Sequence, residues 1–164
     1  MKKFLSTLVL GVVMATGAFM TTAVVAGEKP QAPVDMLTET QSPLGFDETV
    51  EKIKANAKAL GWKLPKKWQV DFQRNLKHVT GIDVGKNKVL KMCAPQAGAE
   101  LLVHDEYKKL ATMMPCTIAV YEKSDGKTYI STMNMRMLGG MYGGLVQQWV
   151  EELAPQMDAM MKLN

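Results

Sequence analysis

The stretch CTIAVYEKSDGKTYISTM, residues 116–133, limits the architecture more than any other part of the chain. Two runs rich in β-branched and aromatic residues flank Lys123-Ser124-Asp125-Gly126-Lys127, and Asp125-Gly126 supplies the turn chemistry of a tight hairpin. A tight hairpin forces its two strands to be antiparallel, because a parallel pair needs a long crossover. KVLKMC, residues 88–93, reads as a further strand. It ends near Pro95, which has no amide hydrogen to offer a ladder. MLTETQSP alternates apolar and polar residues and predicts a first strand near residues 34–41.

Helical patterns fall between these runs. GFDETVEKIKANAKALGW has Asp47 as a candidate cap, an apolar face of Val50, Ile53, Ala57 and Leu60, and Gly61 as its stop. QAGAELLVHDEYKKLATMM reads as helix in two short pieces broken near Asp105. From about residue 143 a long C-terminal helix is expected, with Leu145, Trp149, Leu153 and Met157 recurring every four residues and Pro155 expected to kink or interrupt it. Residues 62–64 suggest a short strand, Pro65 a turn, and residues 69–78 a short helix. The irregular alternation predicts an α+β fold: a single compact domain with a largely antiparallel sheet of four to five strands, helices packed on one face, and a long C-terminal helix.

The N-terminus predicts export. Lys2 and Lys3 precede an uncharged apolar run from Phe4, and Val24-Val25-Ala26 offers a peptidase small residues before Gly27. Residues 1–26 are therefore expected to be a signal peptide cleaved after Ala26, although the run is long enough to be an uncleaved anchor. Residues 27–35 read as a flexible lead-in, and residues 36–164 as the single domain. The expected location is periplasmic or secreted. The 20 basic and 16 acidic residues fall to 18 and 16 once Lys2 and Lys3 leave, so the mature chain carries only +2. Its one local concentration of charge is Lys63, Lys66 and Lys67 in KLPKKW. Nucleic acid is not an expected partner, nor is a membrane after cleavage; a second copy of the chain or a periplasmic protein is.

No HExxH, GxSxG, Walker loop, GxGxxG or CxxCH occurs, so no catalytic residue is assigned and a non-enzymatic role is expected. The chain has two cysteines. Cys93 ends one strand in KMCAPQ and Cys116 opens another in MMPCTI. In an oxidising compartment they are either a disulfide, worth roughly 3 kcal/mol, or a pair of thiols that binds a soft metal or exchanges electrons. Antiparallel strands would bring the end of one beside the start of the other; parallel strands would separate the sulfurs by roughly a strand length. Met92, Met114 and His104 are the candidate auxiliary ligands, with Cu(I) the candidate metal. His104 lies 12 residues from Cys116 and could serve a cysteine nucleophile as its base only if the fold brings the two together. Fourteen methionines are present, and alternation at Met133, Met135 and Met137 predicts three thioethers on one strand face. With Tyr142 and Trp149 they could instead form a partner surface.

SPLGFDETVEKIKANAKALGW, VLKMCAP and MPCTIAVYE together give residues 43–134 a resemblance to the bacterial domain of unknown function 302 family. That family usually has cysteine-asparagine-proline at the first motif, where this chain has Ala94 in place of the asparagine. The resemblance implies a compact α+β domain with an antiparallel sheet and no established activity. It implies that a family function would centre on Cys93, Pro95, Pro115 and Cys116.

Overall fold

The structure is a computed structural model and describes residues 35–164. The predicted signal peptide and most of the lead-in lie outside the described residues. Strand β1 (Leu37–Gln41) is followed by helix α1 (Phe46–Ala59), β2 (Gln69–Asp71), α2 (Phe72–Thr80), β3 (Asn87–Met92), α3 (Pro95–Leu102), β4 (Cys116–Glu122), β5 (Thr128–Met133), α4 (Met135–Tyr142) and α5 (Gly144–Met160). Short 3-10 segments occupy Lys66–Trp68 and Asp105–Met113. The five strands form one sheet in the order β1-β5-β4-β3-β2, antiparallel throughout.

Period-two alternation decides which side of the sheet is covered. Leu90 and Met92 of β3, Ile118 and Val120 of β4, and Ile130 of β5 are buried, and they share a face by register: Leu90 lies opposite Ile118 and Val120 opposite Ile130. Helices α1 and α5 cover that face and contribute Val50, Ile53, Ala57, Val150, Leu153, Met157 and Met160 to the same core. The opposite face carries Glu39, Tyr121 and Tyr129, with the Tyr121 hydroxyl and Lys123 both donating to the Glu39 carboxylate.

Local chemistry explains the element ends. Helix α1 begins at Phe46, one residue before Asp47, and the Glu48 side chain accepts from the Gly45 amide. Gly61 takes φ 80° just past its end, a conformation that glycine adopts without cost. Leu60, expected on the buried face, is exposed. Helix α5 runs through Pro155 without breaking, because that residue is on the exposed side, where water can satisfy the carbonyl left without a donor. The tail after α5 is held by Asn56 of α1, whose amide donates to the carbonyls of Met160 (2.9 Å) and Lys162 (3.0 Å), and Leu163 is buried.

Three expectations need correction. Residues 62–64 form no strand of their own; Lys63 alone bridges to Cys93. The segment 69–78 is not one helix: Gln69–Asp71 pairs with β3, and α2 starts only at Phe72 because the Asp71 side chain accepts from the Arg74 amide at 2.9 Å and caps it there. Met133, Met135 and Met137 do not share a strand. Strand β5 ends at Met133, and Asn134 accepts from the Met137 amide at 3.1 Å, which caps α4 and turns the next two methionines onto a helix. The broken helical segment is as expected, α3 followed by a turn and then the 3-10 segment.

Candidate functional site

The antiparallel arrangement does bring the end of β3 beside the start of β4. The residue opposite Cys116, however, is Met92, and Cys93 is one step out of register. Alternation therefore sends the two cysteine side chains in different directions. The backbone of Cys93 turns to Lys63 instead, with its amide and carbonyl both bonded to that residue. Its sulfur stands against α3, 3.6 Å from where a Cβ on Gly98 would lie. It opens onto a surface groove with Trp68, Pro95, Gly98, Met114 and Pro115. Cys116 faces a separate cavity on the core side. Both cysteines are free thiols.

That cavity has a volume of about 210 Å³ and lies where β4 and β5 meet α3, the 3-10 segment, α4 and α5. Six sulfur-bearing residues line it: Met113, Met114, Cys116, Met133, Met135 and Met157. Leu37, Leu101, Leu110, Leu138 and Trp149 add to its apolar wall; Thr132 shares the core face of the sheet with Cys116, while Thr117, Ala119 and Ser131, of opposite parity, border the cavity. The Trp149 indole is fixed by donation from Nε1 to the Ala97 carbonyl at 3.0 Å, which ties α5 to α3 behind the cavity. Thr132 donates to the Thr117 carbonyl at 2.9 Å, so this hydroxyl is satisfied within the fold.

Electrostatics make both thiols neutral groups. Burial, with a smaller contribution from the neighbouring Cys93, pushes the Cys116 thiol up to about 11. Burial also raises Cys93, which is the more accessible of the two. No cation or histidine lowers either value, so neither cysteine has the depressed pKa of an activated nucleophile. His104 is exposed, stacks edge-on against Tyr107 with ring centroids 6.1 Å apart, and lines neither the cavity nor the groove. Met92 is fully buried in the core beneath the sheet and is not in the cavity wall. Met114 lines both the cavity and the Cys93 groove. Among the described residues no group of three or more histidine, cysteine, aspartate or glutamate side chains could hold a metal ion. Among them, too, no helix is long and apolar enough to cross a membrane.

In the sequence Cys116 and Met114 stand out as site residues, Met133, Met135 and Trp149 only as a stripe or partner surface, and the rest of the wall does not stand out. Leu138, Met135 and Met157 converge only because α4 and α5 fold back over the end of the sheet, and no local spacing announces that. Trp149 carried a signal: a tryptophan within an otherwise aliphatic helix face, whose indole nitrogen needs a partner.

No curated protein matches the chain. A crystal structure of an uncharacterized conserved protein of domain of unknown function DUF302, from Bacillus stearothermophilus, is similar to it with a TM-score of 0.67 and 23% identity. The similarity covers 78% of this chain and 97% of that one and establishes a common fold. The family model for the domain of unknown function DUF302 matches residues 38–163, so the likeness extends from β1 through α5, beyond the 43–134 that the motifs delimit. The chain belongs to the DUF302 family.

Proposed function

We propose that the chain is an exported binding module whose site is the sulfur-lined cavity and whose occupant is a compact apolar molecule. The observation that carries this reading is the cavity itself: about 210 Å³, walled by thioethers, leucines and an anchored indole. An apolar cavity of roughly 150 Å³ is enough to take up a benzene molecule. Methionine side chains are flexible and polarisable, so such a wall adapts to the outline of a ligand and makes favourable sulfur contacts with an aromatic ring. With its pKa near 11, Cys116 is a neutral wall group at physiological pH, which suits an apolar ligand and disfavours thiol redox chemistry. The basic, apolar leader of residues 1–26 supports export.

A second reading rests on one specific observation, the convergence of five thioethers and one thiol on the same space. Soft sulfur ligands select Cu(I), and the ligand set would be Cys116 with methionines in place of the cysteine pair. Binding would have to displace the Cys116 proton, which burial opposes.

Titration with the neutral fluorophore naphthalene, and separately with Cu(I) under anaerobic conditions, distinguishes the two. Apolar binding predicts uptake of the fluorophore, loss of at least tenfold in the cavity-filling variants Met113→Trp and Leu138→Trp, and little change in Cys116→Ala. Copper binding predicts loss of the metal in Cys116→Ala. If the parent protein takes up no fluorophore, or if both filling variants take it up as well as the parent, the apolar reading fails.

A further inference from the structure

The lysines around KLPKKW have no part in the cavity, and the fold gathers one of them with two from α1. Lys54 and Lys58 are four residues apart on α1, hence on one stripe of the helix, and Lys63 joins them across a groove of about 390 Å³ floored by Trp62 and Leu64. Gln69 is also in its wall, and no acidic residue is. We propose that this groove binds a multiply charged oxyanion, a phosphate ester, between Lys54, Lys58 and Lys63.

Like charges four apart on a helix repel, so the Lys54–Lys58 stripe is a small standing cost of the fold that an anion would relieve. Lys54 has a partial partner in Glu51 at 2.8 Å. Lys58 and Lys63 have no ion pair among the described residues, which leaves the groove a net positive site. Its frame is fixed. The Lys63 backbone is bonded to Cys93 through both its amide (2.8 Å) and its carbonyl (3.1 Å), and the Trp62 indole donates to Gln156 at 2.7 Å. The lysine stems and the Trp62–Leu64 floor are apolar, and the ammonium groups stand above them as compact charges with three donors each. That arrangement suits spherical oxyanion groups more than a planar carboxylate pair that asks for a guanidinium fork. Charge complementarity therefore selects the class of ligand. The oxyanion could be carried by a free organic phosphate or by the headgroup of an anionic lipid.

Calorimetric titration with pyrophosphate at low and physiological salt tests the site, using the purified protein, the Lys58→Gln/Lys63→Gln variant, and a Lys91→Gln/Lys109→Gln variant. The last removes two exposed lysines outside the groove and so holds net charge equal. The expected result is binding that weakens with salt and falls at least tenfold in the groove variant while changing less than threefold in the control. Absence of binding to the parent protein, or equal weakening in both variants, overturns the proposal, the second because it reports net charge alone. Flotation with phosphatidylglycerol vesicles separates the sources. Co-flotation lost only in the groove variant supports a lipid headgroup; pyrophosphate binding without flotation supports a free anion.

Discussion

Two adjacent glycines in α4 are expected to respond to the same substitution with opposite signs. Gly139 is buried against α5, where an added Cβ would lie 3.1 Å from the Val150 Cβ and 3.2 Å from its Cγ1. Gly140, the next residue, is exposed, with nothing within 4 Å of an added Cβ. Replacing a helical glycine by alanine gains about 1 kcal/mol from the backbone. Gly140→Ala should show that gain nearly undiminished. At Gly139 the new methyl would overlap a side chain that is only 3% exposed and has little room to retreat. Carbon atoms rest at about 3.5–4.0 Å, so the helices must separate by roughly half an ångström, and overpacking of this kind costs about 1–3 kcal/mol. Gly139→Ala should therefore be about 1–3 kcal/mol less stable than Gly140→Ala, and no more stable than the parent. Urea unfolding at neutral pH reads the difference directly, and a melting experiment should place the two variants several degrees apart. Adding Val150→Ala should reduce the penalty at Gly139 and leave the gain at Gly140 untouched, a coupling visible in a double-mutant cycle. If Gly139→Ala is as stabilising as Gly140→Ala, the close approach of α4 to α5 is wrong, and with it the placing of Met135 and Leu138 in the cavity wall.

Other outcomes follow from the thiol and the indole. The folded-state pKa of Cys116 is raised to about 11, so the folded chain holds its proton longer than the unfolded chain does. Stability from this group is fully present below the unfolded-state pKa near 9 and is lost as pH rises from there through about 11, a decline of roughly 2–3 kcal/mol. Unfolding free energies measured across that window should fall in the parent and flatten in Cys116→Ala; equal slopes would show that Cys116 is solvated. Trp149→Phe deletes the bond from Nε1 to the Ala97 carbonyl and should cost about 0.5–1.5 kcal/mol in chemical denaturation. A variant as stable as the parent would mean that the indole does not tie α5 to α3.

Much of the fold was legible because its signals were local. Asp125-Gly126 sets the hairpin turn, the Val50–Ile53–Ala57 spacing sets the buried face of α1, and the four-residue recurrence through Leu153 and Met157 sets α5. The errors come where two local readings compete and the tertiary fold chooses. Asn134 and the Gly139-Gly140 pair look like loop residues in isolation. In the structure Asn134 is a helix cap, and Gly139 is the flat surface on which Val150 rests. Similarly, Val70 and Phe72 fit a helical pattern until the pairing of Val70 with Val89 draws residues 69–71 into the sheet and Asp71 caps the remainder. For the site, the meeting of β3 and β4 was foreseeable, but the register was not. A shift of one residue decides whether Cys116 faces Cys93 or Met92, and nothing in either cysteine motif encodes it.

The tether from Asn56 to the carbonyls of Met160 and Lys162 also orders events in time. It joins positions 104 and 106 residues apart, and the core beneath it draws Val150, Leu153, Met157, Met160 and Leu163 from the far end of the chain. Strand β1 likewise waits for β5, its one neighbour among the described residues. A chain emerging from the ribosome N-terminus first can form α1 early but has nothing to lay it against until residues past 150 have appeared. The core of this domain can therefore close only near the end of synthesis.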